Sequence, residues 1–206
     1  MSDFTVKRIK RDYRDIKVNR NSSAIPIDIE LVNDNWTELE GYIIGPEDTP
    51  YEGGRFVLDI KLPGTFPFNA PIITFKQNIW HPNVSREGKI CVDILDNGWT
   101  STYTLRFILL SIRELLAYPE LTDTQNCVCT LQYKHKYPIF DMTARFWTAK
   151  YANGPYKVPH CDLKLRELMS YNMHQDCAMR ILSGADWDMK VIKAHFFPQC
   201  DDDSDE

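Results

Sequence analysis

Trp80-His81-Pro82-Asn83-Val84-Ser85-Arg86-Glu87-Gly88-Lys89-Ile90-Cys91-Val92-Asp93-Ile94-Leu95 shows neither the alternation of a strand nor the three-to-four-residue return of a helix. It sits within a segment from Gln77 to Ser101 that has no apolar period. Long irregular segments inside compact domains commonly carry function. The residues on either side decide what it connects. Upstream, Ile25, Ile27, Ile29 and Leu31 alternate, as do Phe56, Leu58, Ile60 and Leu62, and Trp36–Ile44 and Ile72–Phe75 read as two further strands. Asn33-Asp34 and Gly53-Gly54 are turn signals. Before the strands, Val6, Ile9, Tyr13 and Ile16 predict one apolar helix face. Downstream, Leu105, Ile108, Leu109, Ile112, Leu115 and Leu116 predict a helix ending near Pro119, with further helices near 125–135 and 139–151. The sum is an α+β fold: an N-terminal helix, a four-stranded antiparallel meander, then helices.

Ala152-Asn153-Gly154-Pro155 and Val158-Pro159 interrupt the helical pattern, so residues 1–151 are expected to form one domain and 152–160 a linker. Residues 161–197 suffice for a three-helix unit. Its apolar faces are Leu165/Leu168/Met169, Ala178/Ile181/Leu182 and Val191/Ile192/Phe196, with Ser183-Gly184 ending the middle helix through a left-handed cap. Residues 198–206 form an acidic tail, expected to be solvated.

The chain has 206 residues and a net charge of −5. Five acids of that balance lie in Asp201–Glu206; the rest carries 24 bases and 24 acids, which argues against a general nucleic-acid binder. No stretch approaches the roughly 20 apolar residues of a membrane helix. The start, Met1-Ser2-Asp3-Phe4, lacks a signal-peptide run, and six scattered cysteines read as reduced thiols, so a cytoplasmic or nuclear location is expected. The first helix carries a basic stripe: Lys7, Lys10, Arg14 and Lys17. Such stripes are ordinarily solvated faces, but an acid-poor one also suits an acidic protein partner.

Among the cysteines, Cys91 alone lies in the irregular segment, where a thiol can serve as nucleophile; elsewhere a lone cysteine is ordinarily a small buried apolar residue. Cys127, Cys129 and Cys177 fall in helical patterns. Metal binding is not indicated: Cys127-x-Cys129 is unpaired with a second couple and the histidines are dispersed. No Gly-rich phosphate loop is present, so no nucleotide cofactor is expected.

Taken in order, several motifs resemble those of the ubiquitin-conjugating enzymes. They are Gly45-Pro46-Glu47-Asp48-Thr49-Pro50-Tyr51-Glu52-Gly53-Gly54, Phe66-Pro67-Phe68-Asn69-Ala70-Pro71, Trp80-His81-Pro82-Asn83, Ile90-Cys91-Val92-Asp93-Ile94-Leu95 and Trp99. The resemblance spans roughly residues 4–151. Arg8-Ile9-Lys10-Arg11-Asp12-Tyr13, the stretch from Thr104 to Ser111 and Trp187-Asp188 further resemble the huntingtin-interacting type, which carries a C-terminal ubiquitin-associated (UBA) domain. That type has one more residue between Asn83 and Cys91.

The resemblance implies a transferase with ubiquitin, a ubiquitin-activating enzyme, RING- or HECT-type ligases and protein substrates as partners. It implies that Cys91 carries the ubiquitin thioester. Asn83 supports acyl transfer at the oxyanion or by holding the neighbouring loop, and His81 is structural. Asp123 matches the acidic gate that orients the incoming lysine. Lys7, Lys10, Arg11 and Arg14 correspond to the activating-enzyme docking face, and Phe68 and Ser101 to the ligase-facing loops. Tyr171, Asn172 and Met173 align with the Met-Gly-Phe loop of a UBA domain. The subtype implies polyubiquitin chains that signal degradation. Two departures stand out. The gate reads Leu121-Thr122-Asp123-Thr124 where the family commonly has Pro-Asp-Asp-Pro, and Thr100-Ser101-Thr102 replaces a Ser-Pro-Ala-like loop. They keep open one alternative, a weakly active or inactive ubiquitin- or ligase-binding adaptor; a second, an enzyme for a ubiquitin-like modifier, stays open because its scaffold would be similar.

Overall fold

A computed structural model describes residues 2–20 and 27–197. Ile25, Cys200 and the acidic tail lie outside the described residues. The chain forms two compact units that divide between Tyr156 and Lys157.

The first unit opens with α1 (Asp3–Asn19), capped by the Ser2 hydroxyl, which accepts from Thr5 N. The strands follow as β1 (Ile27–Val32), β2 (Asn35–Ile44), β3 (Arg55–Lys61) and β4 (Ile72–Phe75). Each pairs antiparallel with the next, in the order β1-β2-β3-β4. The expected meander is present. Asn33 and Asp34 both take positive φ (50° and 58°), the geometry of a tight hairpin turn between β1 and β2.

Alternation places Ile27, Ile29, Leu39, Ile43, Phe56, Leu58, Ile60, Ile73 and Phe75 in the core. Against them packs α2 (Leu105–Ala117), which buries the six apolar residues its spacing predicted. Gly41 on β2 makes the approach possible: a Cβ there would lie 2.8 Å from Leu109 Cδ2. Next come α3 (Cys127–His135) and α4 (Tyr137–Tyr151), with Phe140, Phe146 and Trp147 buried along α4. Residues 152–156 pack on this same unit. Ala152 is buried and its carbonyl accepts from Arg55 N, while the Tyr156 hydroxyl donates to Glu52 at 3.0 Å.

One expectation for α1 needs correction. Its buried line is Thr5, Ile9, Asp12 and Ile16, flanked by the half-buried Val6 and Tyr13. Asp12, at 1% exposure, sits on the inner face because Arg8 covers its charge. A carboxylate with a fixed cationic partner can occupy a position that periodicity assigns to solvent.

The second unit holds α5 (Pro159–Ser170), α6 (Gln175–Gly184) and α7 (Met189–Phe196) around Leu165, Leu168, Ala178, Met179, Leu182, Trp187 and Ile192. Met169, Val191 and Phe196, expected inside, are exposed. The left-handed turn after α6 is made by Asp186 (φ 51°) and Trp187 (φ 63°), not by Gly184, which remains helical. Burial of the Trp187 ring and a 2.7 Å bond from Lys164 to its carbonyl hold that conformation. Among the described residues no helix is long and apolar enough to cross a membrane.

Candidate active site

After β4 the chain makes a tight loop. Phe75 N donates to the Gly88 carbonyl at 2.9 Å, and Gly88 has φ +81°. A Cβ at Gly88 would come within 2.2 Å of the Phe75 carbonyl oxygen, so the turn requires glycine. Val84 and Ile90 bridge, and Cys91 N donates to the Asn83 carbonyl at 2.9 Å. The eight-residue spacing is therefore a closed loop that returns Cys91 to the side of Asn83.

The segment before the loop is anchored inside. Trp80 packs at a tilt against Trp147, ring centres 5.3 Å apart, and donates to Gln132 Oε1 at 2.9 Å. His81 is fully buried. Asn83 N donates to its Nδ1 at 3.0 Å, so Nε2 carries the proton and donates to the Leu115 carbonyl at 2.9 Å. Burial holds the imidazole neutral and pulls its pKa down to about 4, against the opposing Leu115 bond. His81 is thus a fully bonded neutral residue away from the reacting groups.

The Asn83 amide holds the segment after α2. Its Nδ2 donates to the Glu120 carbonyl at 2.6 Å and the Asp123 carbonyl at 2.9 Å, and its Oδ1 accepts from Glu120 N at 2.9 Å. Both side-chain protons are committed. Pro82's carbonyl also accepts from Gln125 N and Asn126 N. These bonds bring Asp123 to Cys91: the thiol donates to Asp123 Oδ2 at 2.9 Å.

Burial, and then the hydrogen bond and charge of Asp123, push the Cys91 thiol above its ordinary pKa, with Asp93 adding to the effect and a Gln125 hydrogen bond opposing it. The resting group is a protonated thiol. The cleft around it is lined also by Asp93, Ser111, Glu114, Tyr118 and Glu120. Asp93 belongs to the motif around Cys91; Ser111, Glu114, Tyr118 and Glu120 come from α2 and the segment after it and converge on the thiol only once α2 is folded against the loop. Two of the other thiols differ. Cys129 is buried, and burial lifts Cys161 to about 12, which makes both inert.

The remaining sequence-derived residues lie elsewhere. Lys7, Lys10, Arg11 and Arg14 are all exposed on α1. Lys7 pairs with Asp3 at 2.6 Å, Lys10 lies over the Trp36 ring at 5.2 Å, and Arg11 reaches Asp12 at 3.4 Å. Phe68 is 70% exposed, which removes it from the core, and it stacks on Phe4 at 5.9 Å. Ser101 is half-buried. In the second unit Asn172 takes φ 61°, the conformation glycine would supply, between the exposed Tyr171 and the half-buried Met173; Tyr171 stacks on Phe197 at 4.3 Å.

Residues 8–148 match the family model described as ubiquitin-conjugating enzyme. The chain is similar to the Drosophila melanogaster ubiquitin-conjugating enzyme E2-22 kDa, at 46% identity over 96% of this chain and 100% of the relative. It is also similar to human ubiquitin-conjugating enzyme E2 K, at 42% identity over 93% and 96%. Among solved structures, that of a Plasmodium yoelii chain described as a putative ubiquitin conjugating enzyme superposes with TM-score 0.68 at 39% identity, over 75% of this chain and 99% of that one.

Proposed function

This chain belongs to the ubiquitin-conjugating enzyme family, and on that premise we propose that Cys91 carries the ubiquitin, Asp123 meets the acceptor amine and Asn83 holds Asp123 in place. The activity itself is that of the family: a transferase that works through a cysteine thioester. The observation carrying the residue assignment is the 2.9 Å contact between the Cys91 thiol and Asp123, in a loop fixed by three Asn83 side-chain bonds.

In charging, the Cys91 sulfur loses its proton and attacks the carbonyl carbon of ubiquitin held as a thioester on the activating enzyme. A new C–S bond forms, the old one breaks, and the activating enzyme's thiol takes up a proton. Acylated Cys91 has no S–H, so Asp123 loses its partner and its carboxylate becomes available to an arriving ammonium. There it orients the amine and favours proton loss. The nitrogen attacks the thioester carbonyl, the C–S bond breaks, and the Cys91 thiol is regenerated. Asn83 acts through the loop, since neither of its amide protons is free for the oxyanion.

The exposed bases Lys7, Lys10, Arg11 and Arg14 offer the activating enzyme an electropositive helix face. Phe68 and the Ser101 loop offer a RING- or HECT-type ligase an aromatic contact. The second unit serves as a UBA-like domain whose Tyr171-Asn172-Met173 turn faces ubiquitin; the left-handed Asn172 supports that reading. The chain builds degradation-signalling polyubiquitin in the cytoplasm and nucleus. The test is charging with ubiquitin, activating enzyme and ATP, resolved with and without reductant. A ubiquitin-sized, reductant-sensitive adduct is expected and should be absent in Cys91→Ala. An adduct that survives in Cys91→Ala would overturn the assignment.

A further inference from the structure

The partly exposed loop Thr100-Ser101-Thr102 contains no proline, so its shape must be set by contacts. Some are local: Thr100 and Thr102 hydroxyls bond at 2.9 Å, and Tyr103 N donates to the Thr100 carbonyl at 3.1 Å. The rest come from α1. The Arg8 guanidinium donates from Nη1 to the Ser101 carbonyl at 2.6 Å and from Nη2 to the Tyr103 carbonyl. Its Nε donates to both oxygens of Asp12, at 3.1 and 3.0 Å. The Arg8 and Asp12 side chains are only 9% and 1% exposed. Asp12 also accepts from Leu105 N at 3.3 Å, at the start of α2. The Arg8 guanidinium lies 5.5 Å from the Phe66 ring centre, and Trp99 Nε1 donates to the Pro67 carbonyl at 2.9 Å. One buried ion pair thus bears on both loops that flank Phe68 and Ser101.

We infer that Arg8 and Asp12 are positioning residues for ligase-stimulated transfer: they brace the 100–103 loop in the shape a ligase reads. This rests on the ligase-facing reading of Phe68 and Ser101. The brace needs Arg8 specifically. A planar fork serves two carbonyls and one carboxylate at once, whereas the ammonium of lysine reaches fewer of them with no fixed direction. Asp12 supplies the charge that makes burial of the fork tolerable. Neither residue approaches the Cys91 cleft, and the Arg8 side chain is covered, unlike the exposed bases proposed to dock the activating enzyme.

Three rates on the full chain separate this role from general structural support: charging by the activating enzyme, discharge of the thioester to free lysine, and the same discharge with a RING-type ligase domain that stimulates the unsubstituted chain. Arg8→Lys should leave the first two within about twofold while raising the ligase concentration for half-maximal stimulation about tenfold or more, the worth of one or two charge-assisted bonds. The pair Arg8→Met with Asp12→Leu removes the buried charges together, so its unfolding midpoint should stay near that of the unsubstituted chain while stimulation is lost equally. Phe68→Ala reads the underlying assignment. If it loses stimulation while both Arg8 variants keep it, the brace is wrong and the ligase face stands. If all three keep full stimulation, the ligase-facing reading fails and the inference falls with it.

Discussion

At Cys91, burial and Asp123 act in the same direction: both disfavour the thiolate. The carboxylate therefore holds back the thiol at rest, and in the proposed role it assists the amine after charging. Asp123→Asn should separate these effects. Alkylation of Cys91 by iodoacetamide at fixed pH should become faster, because the charge opposing ionisation is gone. Discharge of the thioester to lysine should slow by about 100-fold, the scale of a lost general acid–base group. Slower alkylation in the variant would contradict the electrostatic account. His81 gives a second prediction. Its pKa is ordinary, near 6.5, when unfolded and about 4 when folded. Between those values the unfolded chain binds more protons, so stability falls as pH drops through the window, by about 3 kcal/mol in total at about 1.4 per pH unit. Glu40, held low by bonds from Lys76 and Tyr42, removes stability only below its ordinary 4.5. Denaturant midpoints from pH 7 to 4.5 should therefore slope steeply in the parent chain and flatten in His81→Gln.

Among the elements, the loop from Val84 to Ile90 is the one on which the site depends. Gly88→Ala places a Cβ against the Phe75 carbonyl at positive φ and should cost about 2–3 kcal/mol in denaturant unfolding while slowing charging. Normal stability with normal charging would show the turn to be tolerant. The strands and α2 were legible because one face of each is buried, and burial imposes a period. The elements that escaped had other causes of order. Asp12 on the inner face of α1 depends on Arg8 four residues earlier, and on carbonyls of residues 101 and 103 that no local pattern reveals. The turn after α6 is left-handed at Asp186 and also at Trp187, a bulky residue that rarely adopts it, because the Trp187 ring is drawn inside. In the site, Cys91 was legible from its place in an irregular segment and Asn83 through the motif that resembles the family's. Their tie to Glu120 and Asp123 was not, since it runs from side-chain amide to backbone across segments far apart in sequence.

At the scale of the whole molecule, the division between Tyr156 and Lys157 leaves all of the Cys91 cleft in one unit. Residues 152–156 belong to it through Ala152 and through Tyr156, whose ring lies 4.1 Å from the Arg145 guanidinium. A fragment of residues 1–156 should unfold cooperatively and charge at the rate of the full chain; a fragment of residues 1–151 should melt measurably lower. Equal melting of the two would remove the significance given to the Tyr156 contacts. The site exists only when two segments distant in sequence meet: the loop from Asn83 to Cys91 and residues 120–123. In the proposed mechanism Asn83 acts through Asp123, not on the reacting carbonyl. The most direct test is a double-mutant cycle on single-turnover discharge of the pre-formed thioester to lysine, with Asn83→Ala, Asp123→Asn and both together. The double variant should be no more than about twofold slower than Asp123→Asn alone. Rate losses that multiply would show that Asn83 stabilises the transition state independently, and would contradict it.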